Sequence, residues 1–178
     1  MSSASNTRFW TGQRWRLLGW GGALILLTTP WVAMQFSREV NWSLADFVLA
    51  ALIFAVAGTA LELSARASAS HAYRGGATLA VLSAVLLVWV NGAVGIIGSE
   101  NNPANLMFAG VLAIAVVGAV VAGFRPLGLA RAMLAAAAGQ AAVALIALGL
   151  GHNILPISAV FIALWLGAAL LFAKAVDP

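Results

Sequence analysis

Cysteine is absent from the 178 residues, so the chain forms no disulfide, binds no metal through thiolate and has no cysteine nucleophile. Charge is almost as scarce. Nine basic and five acidic residues make up 8% of the chain, where an ordinary soluble domain has about 25%. So few charges cannot coat a water-exposed surface, which excludes a soluble single domain. Intrinsic disorder needs the opposite bias, many charges and few apolar residues, and is excluded as well. The usual enzyme templates are missing: there is no H-E-x-x-H, no G-x-S-x-G and no phosphate-binding glycine loop followed by lysine. Thr28, Thr29 and Ser83 have no base nearby in sequence, so nothing supports a hydroxyl nucleophile.

What the chain has instead is apolar length, with 63% hydrophobic residues. A helix needs about 20 mostly apolar residues to cross a hydrocarbon core ~30 Å thick. Six stretches meet that length: 16–35, 42–64, 74–98, 103–124, 127–150 and 155–173. Residues 1–15 precede them as an N-terminal tail. The runs are continuous and lack the apolar–polar alternation of barrel strands. The fold class is therefore all-α, a polytopic transmembrane bundle of six helices. The breaks carry helix-boundary chemistry: Asn102-Pro103 before the fourth span, Arg125-Pro126 before the fifth, and Gly151-His152-Asn153 with Pro156 around the start of the sixth. The connections are short, so consecutive helices are expected to be antiparallel neighbours. The first span is read as a retained helix, because its run is long and no clear small-x-small cleavage site follows it.

The basic residues orient the bundle. With the N-terminus in the cytoplasm, Arg8, Arg14, Arg16, Arg66, Arg74, Arg125, Arg131 and Lys174 lie inside and only Arg38 lies outside. Eight against one follows the positive-inside rule and puts both termini in the cytoplasm. The net charge of +4 is then a topology signal, and no nucleic-acid partner is implied because no basic cluster accompanies a recognition motif. His71 falls inside and His152 outside, so the two cannot jointly ligate one haem. That leaves the cofactor unknown, with a single-ligand haem or a quinone pocket still open. No residue set has metal-ligand spacing.

Ionisable and amide groups within spans are costly in lipid, and each is a candidate for function. Asp46 lies about one turn into span two, Asn91 in the outer half of span three, and Gln140 in the middle of span five. Glu100, Asn102 and His152 sit in outer loops, with Asn101, Asn105 and Asn153 close by. If these converge, they form a polar cavity open to the outside that could bind an ion or relay protons. The bland reading is that Asp46 caps its helix near Ser43, that Asn91 and Gln140 hydrogen-bond between helices, and that Glu100 and His152 are solvated. Glu62 and Arg66 have the four-residue spacing of a structural pair on one helix face. In Asn91–Gly98, glycine recurs every third residue. This reads as a smooth packing face, the alternative being an unwound helix end whose carbonyls line a site.

Small residues recur at four-residue steps and predict helix seams. They are Gly76, Ala80 and Ala84; Gly110, Gly118 and Ala122; Ala135, Gly139, Ala147 and Gly151; and Ala159, Ala163 and Gly167. Such seams serve either one compact bundle or a homo-oligomer.

The run Trp89-Val90-Asn91-Gly92-Ala93-Val94-Gly95-Ile96-Ile97-Gly98-Ser99-Glu100-Asn101-Asn102-Pro103-Ala104-Asn105-Leu106-Met107 resembles the signature of a family of small, uncharacterised multi-pass inner-membrane proteins of bacteria. Asn41–Phe47 is similar as well, and the resemblance covers about residues 40–150. It implies a bacterial inner-membrane location and no particular activity. The function expected is a small transporter, channel or ion-binding protein with an outer polar site. The alternative is an accessory or scaffold subunit of a larger membrane complex, and the lipid bilayer is the partner in either case.

Overall fold

The computed structural model describes residues 3–37 and 40–176, with side chains from Leu17 onward except Leu18. Arg38 falls outside the described residues, as do the side chains of Arg8, Arg14 and Arg16. Among the described residues the chain is helical throughout, without strands. The helices are α1 (Ser3–Phe36), α2 (Leu44–Ala67), α3 (His71–Val94), α4 (Met107–Val121), α5 (Pro126–Gly149) and α6 (Leu155–Lys174), with a 3₁₀ turn, Pro103–Leu106, leading into α4.

Among the described residues, five spans are long and apolar enough to cross a membrane: α2, α3, α4 with its leading turn, α5 and α6. The 34-residue α1 contains residues 16–35 but is less apolar. Gly19, Gly21, Gly22, Thr28, Thr29 and Pro30 dilute its aliphatic run. It also begins at Ser3, so the segment before span one is itself helical.

The chain divides into two units, Met1–Thr59 and Ala60–Pro178. In the first, the Trp20 indole covers Gly58, where a Cβ would come within 2.8 Å of the ring. Glycine at 58 therefore lets α1 and α2 approach.

The second unit is built around α5. Of its apolar stretch 44% is buried, against 11% for α3. One side of α5 packs on α4 and the other on α6, and α6 packs in turn on α3. The core stripe of α6 is Ser158, Phe161, Trp165, Ala168 and Phe172, all buried at alternating three- and four-residue steps. That spacing keeps one face of a helix against its neighbours. Several expected seams are present. A Cβ at Gly118 would lie 2.7 Å from Ala132 Cβ, one at Gly76 would lie 3.0 Å from the Phe172 ring, and one at Gly167 would lie 2.8 Å from Leu79. Others turn away: Gly110, Ala135, Ala159 and Ala163 are exposed. Four-residue steps name a face but not which face is covered.

The end of the bundle formed by the start of α3 and the ends of α4 and α6 is closed by Tyr73. Its ring packs edge-on against Phe172 with centroids 5.4 Å apart. Its hydroxyl donates to the Phe124 carbonyl at 3.0 Å. Phe124 has φ +58°, a left-handed conformation uncommon for a bulky residue, and the Tyr73 bond holds that turn.

Candidate functional site

The opposite end of the bundle carries most of the singled-out residues. Span three does not remain helical to Gly98: α3 stops at Val94, and Gly95 turns the chain back with φ +67°. A Cβ on Gly95 would lie 2.2 Å from the Ser99 carbonyl carbon, so the turn requires glycine. The glycine repeat is therefore not a packing face along its whole length. Gly92 is helical with open space around it, and from Gly95 onward the helix is unwound.

Asn105 organises the unwound segment. Its side-chain Oδ1 accepts the Ile97 N–H at 2.8 Å, and its Nδ2 donates to the carbonyls of Ser99 at 2.7 Å and Ile97 at 3.4 Å. Ile97 is fully buried and Asn105 is 5% exposed. In lipid a buried peptide group without a partner is costly, so one amide side chain substitutes here for lost helical bonds. The Asn91 Nδ2 donates to the Asn105 carbonyl at 3.3 Å, tying the last turn of α3 to the start of α4. Asn102 caps the 3₁₀ turn, its Oδ1 accepting the Ala104 N–H at 3.0 Å.

His152 joins this group from the α5–α6 connection. Helix α5 ends in a Schellman arrangement, with the His152 N–H donating to the Ala147 carbonyl at 2.9 Å and the Gly151 N–H to Leu148 at 3.0 Å. The turn lays the imidazole against Gly98: a Cβ there would be 3.0 Å from His152 Cε1 and 3.1 Å from Asn102 Nδ2. Asn91, Asn102, Asn105 and His152 thus gather at one end, around the unwound segment.

None of the remaining candidates takes part in those bonds. Glu100 is exposed at the tip of the loop. Asp46 is exposed and forms a reciprocal cap with Ser43: its Oδ2 accepts the Ser43 N–H at 2.7 Å and hydroxyl at 2.8 Å, while its own N–H donates to Ser43 Oγ at 3.3 Å. Glu62 and Arg66 pair at 3.2 Å, with 66% of the arginine side chain exposed. Gln140 is fully buried in the core stripe of α5, with neither side-chain atom hydrogen-bonded. Among the described residues no cluster of three or more His, Asp or Glu could hold a metal.

Three structural roles emerge only from the structure. The sequence places Asn105 beside the cluster, and its one signal there is an asparagine two residues after an Asn-Pro cap. Trp165 and Ser158 are buried polar groups of α6, visible only once its core stripe is known. Arg74, read as a topology charge, fastens the α2–α3 turn by donating from Nε to the Ser68 carbonyl and from a terminal nitrogen to Ala65, each at 2.8 Å. Between α5 and α6 lies an open apolar groove of about 300 Å³, bordered by Ala141, Ala144, Leu145, Leu155, Ser158 and Ile162.

Compared with known protein families, curated proteins and solved structures, the chain matches none of them.

Proposed function

We propose that this integral membrane protein has six spans with both termini in the cytoplasm of a bacterium. Its function is to bind, and as a transporter or channel to pass, a small solute at the outer end of the α3–α6 bundle. The observation that carries this reading is the unwound end of α3, whose backbone is held by Asn105 and flanked by Asn91, Asn102 and His152. Irregular backbone at membrane depth is tolerated where it is buried in protein or lines a cavity, and broken helices serve as binding elements in transporters. The eight-to-one distribution of basic residues supports the orientation, which places this end outside. Asp46 is left out of the site because its carboxylate is engaged in capping.

Native mass spectrometry of the chain released from its own membranes tests the reading. The expected result is an isolated chain retaining a small-molecule mass that Asn91→Leu and His152→Leu remove. A stable complex with other proteins and no bound small molecule overturns it in favour of an accessory subunit, a reading that suits α2, of which only Ala50 is buried.

A further inference from the structure

Among the described residues, the buried side-chain atoms without a hydrogen-bond partner are Asn91 Oδ1, both amide atoms of Gln140, Ser158 Oγ and Trp165 Nε1. They come from three different helices and occupy successive levels between the middle of the bundle and its Asn105 end. The packing contacts set the levels. Gly76 meets Phe172 and Gly167 meets Leu79, so α3 and α6 run antiparallel with residue 83 level with about residue 164. Helices α5 and α6 are joined by the short connection 150–154, and Ala141, Ala144, Ser158, Ala159 and Ile162 border one groove between them, which sets residue 140 level with about residues 160–164.

Ser83, Gln140 and Trp165 therefore share one level near the middle of the bundle, all with 0–1% exposure. Ser158 lies about 10 Å nearer the Asn105 end than Trp165 on the same helix, and Asn91 about 3 Å beyond that, at 1.5 Å per residue. Side chains lean toward the N-terminus of their own helix. Gln140 on α5 leans away from the Asn105 end and Trp165 on α6 leans toward it. The two side chains therefore lean toward a common level, with no hydrogen bond between them.

Gln140, Ser158 and Trp165 make no side-chain hydrogen bond that an apolar residue would lose, and Asn91 is engaged only through its Nδ2. A buried polar group left unpaired costs about 1–3 kcal/mol. A guest would satisfy such groups, set level by level toward an unwound helix end. The chemistry of these groups defines that guest. Gln140 offers a donor and an acceptor, Trp165 a donor, Ser158 both, and Asn91 an acceptor. The buried stripes of α3, α4, α5 and α6 contain no Asp, Glu, Lys, Arg or His. An ion at Gln140 would lack a countercharge in a medium where isolated charges are heavily penalised.

We propose that the bundle contains a polar path for a small neutral hydrogen-bonding solute, water being the smallest. It leads from the Asn105 end past Asn91 and Ser158 to a terminal site formed by Gln140 and the Trp165 indole. The path takes the outer site proposed above as its mouth, and the native-mass measurement tests that mouth independently.

Indole N–H exchange reads the path directly. In detergent-solubilised full-length protein labelled with ¹⁵N-tryptophan, Trp165→Phe assigns the resonance. The expected result is exchange of the Trp165 N–H into D₂O within minutes, slowed at least tenfold by Asn91→Leu or Ser158→Val and unchanged by Tyr73→Phe at the far end. Protection of this N–H for a day or more in the unsubstituted protein overturns the path and needs no variant. Titration of the same sample with urea and glycerol, read as a shift of the Trp165 N–H resonance, tests the solute class. Gln140→Leu is expected to weaken the apparent affinity at least fivefold. Equal shifts with both proteins, or a shift with sodium or potassium chloride that Gln140→Leu abolishes, overturn the neutral-solute assignment; the salt shift would leave the outer-site reading standing.

Discussion

Asn105 grips Ile97 by both of its peptide groups, accepting from the N–H at 2.8 Å and donating to the carbonyl at 3.4 Å. A single side chain eight residues away thus does what a further helical turn would have done. The break in α3 is a satisfied structure and not a frayed end.

Asn105→Ala should therefore destabilise the protein strongly. It leaves the buried Ile97 N–H unpaired and removes the bond to Ser99, a loss of about 2–4 kcal/mol from unsatisfied buried groups and lost bonds. Asn105→Asp keeps the acceptor for Ile97 but removes both donated bonds, and should also unfold early. Thermal or SDS unfolding in detergent measures both. An Asn105→Ala protein as stable as the parent would show that the loop is held by something else.

Two glycines three residues apart should respond in opposite directions. Gly95→Ala forces a Cβ to 2.2 Å from Ser99 at positive φ, and should cost about 3 kcal/mol or prevent folding. Gly92→Ala meets nothing within 4 Å in a helix and should stabilise by about 0.5–1 kcal/mol. The difference in unfolding midpoint between the two variants is the readout.

At the other end of the bundle, Tyr73→Phe removes the bond to the Phe124 carbonyl and should cost about 1 kcal/mol. Phe124→Gly relieves the left-handed conformation at an exposed position. It should lessen the destabilisation caused by Tyr73→Phe, which a double-mutant cycle detects as non-additivity.

Ser43 and Asp46 act as one unit. Either alanine substitution should cost about 1 kcal/mol, and the double substitution little more than one alone, because each removes the same reciprocal cap. Asp46→Ala should leave any bound small molecule in place. Loss of that ligand would return Asp46 to the site.

Reporter fusions check the topology. A fusion at Lys174 should report cytoplasm and one after Glu100 the outside. If α1 lies on the membrane instead of crossing it, five spans would put the two termini on opposite sides, and a reporter fused near residue 3 would decide between these arrangements.

Much of this architecture rests on near-neighbour chemistry and is legible residue by residue. Apolar length marks α2 to α6, the Ser43–Asp46 spacing marks a cap, and the Glu62–Arg66 spacing marks a pair on one face. Each depends on residues within a helical turn or a hydrocarbon thickness of one another. The contacts between helices are of another kind. That Gly95 reverses the chain instead of continuing a seam depends on Asn105, and that His152 lies over Gly98 depends on how α5 ends. That Gln140, Ser158 and Trp165 are buried without partners depends on which stripe of α5 and α6 turns inward. A periodic run of small and apolar residues is compatible with several rotations about its own axis, and only packing against the other helices selects one.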